Sequence, residues 1–266
     1  MPRTLFLKNH KHFNSHDLWS LPSSSDVLEC KDVTVTFEGL TALEDVTLQV
    51  KRGEVVGLIG PNGAGKTTLA NVFTGFQRPD RGKAFLSGRD ITNLAPHRIS
   101  RMGVSRTFQS VRLFAELTLH QNVEVAAING GLDREPAQDL AGELLDWFNL
   151  GDKWHLKANS LTYSDERRVG IARALALRPK FVLLDEPAAG MSDAECDDLI
   201  RRIREIPNRF SCGALLIDHN MRVVMDLCRR IQVLEFGRTI AEGTPAEIQA
   251  HPEVLRAYLG TRSNQP

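Results

Sequence analysis

The sequence predicts an α/β protein with a parallel sheet at its centre, and three observations carry that reading. Apolar, β-branched runs alternate with helix-compatible segments along the chain. Val55–Ile59, Phe181–Leu184 and Gly213–Ile217 lack the polar alternation of half-exposed strands, as strands buried on both faces do. Each of these runs is followed by residues with chemistry to offer: a glycine-rich loop, the pair Asp185-Glu186, and the pair Asp218-His219. Ligand groups just beyond strand ends are what a parallel sheet presents at its carboxyl edge.

Taken in order, residues 1–26 mix Lys, His, Asn and Ser and end in Leu-Pro-Ser-Ser-Ser-Asp, which reads as a flexible tail and linker. His10, His12 and His16 lie there without a fourth ligand or a helical register to make a metal site. One domain is expected over residues 27–260, with a short tail at 261–266. Val33–Phe37 and Val46–Val50 alternate as half-buried strands of an antiparallel β subdomain, closed by the turn Lys51-Arg-Gly53. Phe37, at a strand end, reads equally as core and as a ring able to stack on adenine. A helical insertion is expected at about 95–165, including a helix over 140–150 with apolar face Leu140, Leu144, Leu145 and Phe148 and Gly151 as its cap. A helix from Asp193 to Ile206, ending before Pro207, follows the second buried strand, and another runs from Met221 to Cys228.

The stretch between Val55 and Ala70 organises the rest. Gly60, Gly65, Lys66 and Thr67 fit G-x-x-x-x-G-K-[ST], here Gly-Pro-Asn-Gly-Ala-Gly-Lys-Thr between a strand and a helix. Glycines at 60, 63 and 65 allow backbone conformations that bring N–H groups together on one anion, and the following helix turns its positive end to the same point. Gly60, Asn62, Gly63, Ala64, Gly65, Lys66, Thr67 and Thr68 are the expected phosphate-binding residues. Lys66 is suited to the outer phosphates and Thr67 to Mg²⁺. The loop therefore binds a nucleoside triphosphate, with Mg²⁺ as its expected ion.

Composition narrows the partners. Lys+Arg and Asp+Glu both number 33, so the net charge of zero argues against nucleic acid as the bulk partner. Cys30, Cys196, Cys212 and Cys228 have no metal-binding spacing and read as reduced thiols of a cytoplasmic protein. No apolar run approaches the ~20 residues a membrane span needs, so membrane association is expected to go through a partner.

Phosphoanhydride hydrolysis needs a metal ligand and a group that positions water. Asp185, after a buried strand, is suited to Mg²⁺, and Glu186 beside it to accept a proton from the attacking water. His219 follows another buried strand and reads either as structural or as a γ-phosphate contact. Gln109 carries little signal alone.

In this order the pieces resemble the ATP-binding subunit of an ATP-binding-cassette transporter. Gly60 to Thr67 resembles the Walker A loop, Gln109 the Q-loop, Val182 to Glu186 the Walker B strand with its catalytic Glu, His219 the switch histidine and Phe37 the adenine-stacking aromatic. The resemblance implies catalytic roles for Glu186, His219 and Gln109 and metal roles for Thr67, Gln109 and Asp185. Ser105-Arg-Thr-Phe-Gln-Ser-Val-Arg-Leu-Phe114, Leu117-Thr-Leu-His-Gln-Asn-Val123, Ala188-Ala-Gly190 and the ending Gly243-Thr-Pro to Ala257-Tyr-Leu-Gly260 resemble subunits importing branched-chain amino acids. That implies transmembrane permease subunits, a second ATP-binding subunit, a periplasmic solute-binding protein acting indirectly, and a peripheral place on the cytoplasmic face of the inner membrane. Two other readings stay open: a soluble cassette acting on DNA or ribosomes, and a regulatory cassette that does not hydrolyse.

One stretch departs from the family. Where it carries Leu-Ser-Gly/Tyr-Gly-Gln, this chain has Leu161-Thr-Tyr-Ser-Asp165 before Glu166-Arg-Arg168. The resemblance places Thr162 and Ser164 against the γ-phosphate held by the opposite subunit. Ser164 stands where a small glycine is expected, and Asp165 where a neutral glutamine is. Two like charges 4 Å apart repel by about 4 kcal/mol at an effective dielectric of 20. Asp165 is therefore expected to weaken one composite site, and the second cassette to be non-identical.

Overall fold

A computed structural model describes Trp19 and residues 26–108 and 111–259. β1 (Val27–Phe37), β2 (Leu40–Lys51), β4 (Arg81–Leu86) and β5 (Arg89–Asp90) form an antiparallel sheet ordered β2-β1-β4-β5. The central sheet runs β10-β9-β3-β8-β7-β6, built from β3 (Val55–Ile59), β6 (Val104–Arg106), β7 (Phe181–Asp185), β8 (Gly213–Ile217), β9 (Arg230–Glu235) and β10 (Arg238–Gly243). Its pairs are parallel except β10, which returns antiparallel to β9.

Every residue of β3, β7 and β8 is buried, which is why these runs are apolar without alternation. Successive side chains go to opposite faces of the sheet. Val182, Leu184, Ala214 and Leu216 join a core shared with the helical elements, while Phe181, Leu183, Leu215 and Ile217 join the core under the antiparallel sheet. α1 (Lys66–Thr74) fills the second core with Leu69, Val72 and Phe73.

The helical subdomain consists of α3 (Leu119–Asn129), α4 (Arg134–Trp147) and α5 (Tyr163–Ala176). Thr118 opens α3 with a capping box, exchanging hydrogen bonds with Gln121. The insertion expected at about 95–165 begins later and ends later. α2 (Pro96–Arg101) packs Ile99 into the sheet core and leads directly into β6, an edge strand of the central sheet paired with β7. α5 continues eleven residues beyond 165 to Ala176. The expected helix over 140–150 starts at Arg134 and stops at Trp147, and Asn149 (φ +58°), not Gly151, takes the left-handed conformation behind it.

After β7 come α6 (Asp193–Arg209), α7 (Met221–Leu227), α8 (Pro245–Ala250) and α9 (Pro252–Leu259). α6 runs through Pro207 rather than ending before it, and the packing of Leu199, Ile200, Ile203 and Ile206 on the core offsets the lost backbone hydrogen bond. The boundary expected at residue 26 also moves. Asp26 is buried and accepts from Arg52 (2.8 Å), Lys180 (2.8 Å) and Ser87 (2.9 Å), joining both sheets. Trp19 is buried edge-on against Phe210, with ring centres 4.8 Å apart. The remaining residues of the expected tail lie outside the described ones. All four cysteines are free and buried. Among the described residues, no helix is long and apolar enough to cross a membrane.

Candidate nucleotide site

The carboxyl ends of β3, β7 and β8 converge on a cleft of about 210 Å³ lined by Ala42, Asn62 to Thr68, Asp185, Glu186 and Ile217. The sequence-predicted loop residues thus meet the two carboxylates. Gly60 (φ +152°) allows the loop to leave β3, since a Cβ there would lie 2.1 Å from the Leu234 carbonyl oxygen. Gly65 (φ +101°) caps α1, and a Cβ on it would lie 2.5 Å from the Ala42 carbonyl oxygen. Gly65 provides no side-chain cap for the helix, whose first-turn N–H groups lie in the cleft wall as donors for an anion.

Lys66 Nζ donates to the carbonyls of Gly60 (2.6 Å) and Pro61 (2.9 Å) across the loop. Burial lowers its pKa, and the carboxylates of Glu186 and Asp185 push it back up. A trianionic phosphate chain in the cleft would reinforce the ammonium form. The oxygen donors of Thr67 and Asp185 line the same cleft, a set suited to Mg²⁺, which keeps water and phosphate among its ligands.

Asp185 is held by two neighbours that sequence reasoning missed. Arg106 donates to Asp185 Oδ2 (2.6 Å) and to Asn71 Oδ1 (2.6 Å), with both charged side chains of the pair at most 5% exposed. Thr107 Oγ1 accepts from the Asp185 N–H (3.1 Å). Both come from β6 and its exit, a strand too short to leave a pattern. Glu186 has φ +46°, a conformation that costs a non-glycine residue energy and recurs at functional sites. Its N–H donates to the Ile217 carbonyl (2.7 Å), locking the turn to β8. His219 Nδ1 lies 3.2 Å from Glu186 Oε1, so the expected base and histidine share a hydrogen bond.

Asp218 is a residue that the sequence places beside His219 at the strand end without a role. Its side chain is 2% exposed, Oδ1 accepts from the Asn220 N–H (2.8 Å), and Oδ2 is buried without a hydrogen-bond partner among the described residues. Burial raises its carboxyl above the ordinary range, with the Asn220 N–H opposing. The usable signal was its position, one residue beyond the same buried strand that delivers His219.

Phe37 ends β1, 45% exposed, paired in register with Leu40, and does not line the phosphate cleft. Gln109 lies outside the described residues. Thr162 and Ser164 are not brought to this cleft; they sit at the amino end of α5. Thr162 is exposed and accepts from the Asp165 N–H (3.2 Å). Ser164 is buried, and its hydroxyl bonds the Glu195 carboxylate, so it is not presented to a ligand. The charge expected from Asp165 is met within the chain, because Lys153 Nζ pairs with its Oδ2 at 2.6 Å.

A two-sheet cassette with this loop, paired strand-end carboxylates and a histidine defines a class. Residues 43–189 match the ABC transporter family model, and residues 238–263 match that of the branched-chain amino acid ATP-binding cassette transporter. The chain belongs to the ABC transporter ATP-binding subunits, a family of ATPases. It is 41% identical over 252 residues to the high-affinity branched-chain amino acid transport ATP-binding protein BraF of Pseudomonas aeruginosa, covering 89% of this chain and 99% of that one. The lipopolysaccharide export system ATP-binding protein LptB of Haemophilus influenzae is 37% identical over 238 residues, with 88% and 97% covered. Among solved structures, the cassette MJ1267 in its ADP conformation matches with a TM-score of 0.80 at 29% identity, covering 88% of this chain and 99% of that one.

Proposed function

We propose that this chain hydrolyses ATP as the energising subunit of an importer for branched-chain amino acids, seated on the cytoplasmic face of the inner membrane. The observation that carries the substrate class is the match of residues 238–263 to a branched-chain amino acid cassette model, a segment whose described residues include β10, α8 and α9. The greater identity to BraF than to LptB points the same way.

In this reading the loop amides and Lys66 hold the phosphates, and Phe37 meets the adenine. Mg²⁺, when bound, neutralises phosphate charge, and Thr67, Asp185 and Gln109 would serve it. Arg106 fixes Asp185 in place, leaving Oδ1 to face that ion or its water. Glu186 accepts the proton of the attacking water, and His219, at 3.2 Å, orients the carboxylate and reads the outer phosphate.

The catalytic cleft holds only one half of a composite site, since Thr162 lies away from it and faces solvent. A second cassette would bring its own signature to this cleft. We take that partner to be non-identical, because the buried Ser164 leaves this α5 end without the expected glycine. Permease subunits would dock on exposed aromatics near residue 109. Phe76 (58% exposed) and Phe108 (43%) stack edge-on with centres 5.9 Å apart, and Phe114 (50%) lies under Arg173. A periplasmic binding protein would act only through those subunits, and no nucleic acid is involved.

The test is ATP hydrolysis by the complex reconstituted in vesicles with its permeases, with and without leucine-loaded binding protein. Stimulation by loaded binding protein supports the proposal. Stimulation by lipopolysaccharide instead would move the chain to the export branch, which its likeness to LptB keeps as the second reading.

A further inference from the structure

The hairpin joining β9 to β10 is two residues long, with Glu235 and Arg238 paired across it. Phe236 (φ +46°) and Gly237 (φ +77°) both have positive φ, the requirement of a type I′ turn. That turn favours Asn-Gly, because asparagine tolerates the left-handed region and a bulky side chain does not. Among the described residues, the other non-glycine residues with positive φ are Asp, Glu, Ser, Asn or Arg; Phe236 is the one aromatic. It gains no burial in exchange, being 84% exposed.

The turn is fixed beside the nucleotide cleft. Gly237 N–H donates to the carbonyl of Ala64 in the phosphate-binding loop (3.2 Å), and its own carbonyl accepts from Glu44 of β2 (2.9 Å). A Cβ on Gly237 would lie 2.7 Å from the carbonyl oxygen of Ala42, which lines the cleft. Two residues before Ala42 stands Leu40 (73% exposed), paired with Phe37 (45% exposed). The cleft itself is polar, made of loop backbone, a lysine, two threonines and two carboxylates. Apolar side chains standing in solvent on turns around it suit the one flat, apolar part of a nucleotide.

We infer that Phe236 is a nucleobase-binding residue, covering the adenine of bound ATP from the β9–β10 turn while Phe37 meets it from β1. The inference rests on the ATP-binding reading above and adds a second aromatic to it. It makes stability and affinity move in opposite directions under one substitution, Phe236→Asn. The fold gains a favoured turn residue, so the melting temperature rises by about 2 °C or more. Mg-ATP affinity falls about fivefold or more, the scale of a lost base–aromatic contact. Affinity for Mg-tripolyphosphate, which has phosphates and no base, stays as in the wild type.

The experiment is a thermal melt and a pair of equilibrium titrations on wild-type and Phe236→Asn protein. Unchanged ATP affinity overturns the inference, and loss of partner association alone would make Phe236 a subunit contact instead. Equal weakening of tripolyphosphate overturns it too, since the turn would then act on the loop and not on the base. A lowered melting temperature overturns it by showing that the ring packs within the fold. Wild-type protein that binds tripolyphosphate but not ATP overturns it, whereas binding of neither ligand sinks the nucleotide reading beneath it.

Discussion

The carboxyl edge of the central sheet and the amino end of α5 both carry residues for phosphate chemistry, and they are built differently. At the sheet edge three charged groups have answering groups in the same chain: Lys66 on loop carbonyls, Asp185 on Arg106, Glu186 on His219. At α5 the hydroxyl of Thr162 and the ring of Tyr163 stand exposed, and the altered residues Ser164 and Asp165 are turned inward onto Glu195 and Lys153. The difference fits the proposed reading, in which the first region is the site and the second would complete the site of another subunit. Preorganised charge belongs where the reaction occurs, while a helix end that serves another subunit must stay uncovered.

The largest effect that sharpens this contrast is at Glu186. Glu186→Gln keeps the turn and the size but cannot accept a proton. Turnover should fall by about 10²–10⁴-fold with Mg-ATP affinity retained, measured as phosphate release against equilibrium binding. Near wild-type turnover would assign the base to another group.

Arg106 comes next. Arg106→Met leaves the Asp185 carboxylate buried without its cation, and breaking a buried pair from one side costs about 3–5 kcal/mol. Urea unfolding should show that loss, and adding Asp185→Asn should recover most of it. A cost of a few tenths would mean that water, not Arg106, compensates the Asp185 carboxylate.

Why Arg106 had to be found in the structure explains what the sequence reveals and what it hides. Val55–Ile59, Phe181–Asp185 and Gly213–Ile217 were legible because burial on both faces leaves an unbroken apolar run. The loop was legible because its chemistry is local in sequence. β6 was not: it has 3 residues, an edge position and a sequence, Val-Ser-Arg, without period. Its residues fall within the stretch that reads as a helical insertion, and its arginine with them. Pro207 misled for the opposite reason, since a strong local preference against helix was outweighed by Leu199, Ile200, Ile203 and Ile206 packed on the core. Asp165 misled because its partner, Lys153, lies in a loop before α5 and touches it only through the fold.

Asp218 carries a smaller effect with a definite sign. Burial places its folded pKa above the unfolded value, so its contribution to stability is present at low pH and is lost as pH rises through the folded pKa. Asp218→Asn retains an acceptor for the Asn220 N–H without the charge. The variant should be more stable than the wild type near neutral pH by on the order of 1 kcal/mol. The gap should close as pH falls below about 3, where the carboxyl is protonated in both the folded and the unfolded chain. Denaturant midpoints across that range measure it, and a gap independent of pH would assign the effect to packing.

The smallest stability effect tests the comparison most directly. Lys153 is 39% exposed, and a partly solvated pair with Asp165 contributes less than about 1 kcal/mol to the fold. Lys153→Met should therefore barely move the unfolding midpoint. Its consequence lies at the α5 surface, because the carboxylate set free there stands near the end that would meet a partner's phosphates. In a Glu186→Gln background, light scattering with the partner cassette and Mg-ATP should show association weakened by roughly fivefold, about 1 kcal/mol. Adding Asp165→Gln should restore it, since no charge is then left to repel. If Lys153→Met unfolds the protein instead, the pair belongs to the packed core. If neither folding nor association changes, the α5 end does not approach phosphate, and the composite arrangement loses its second half.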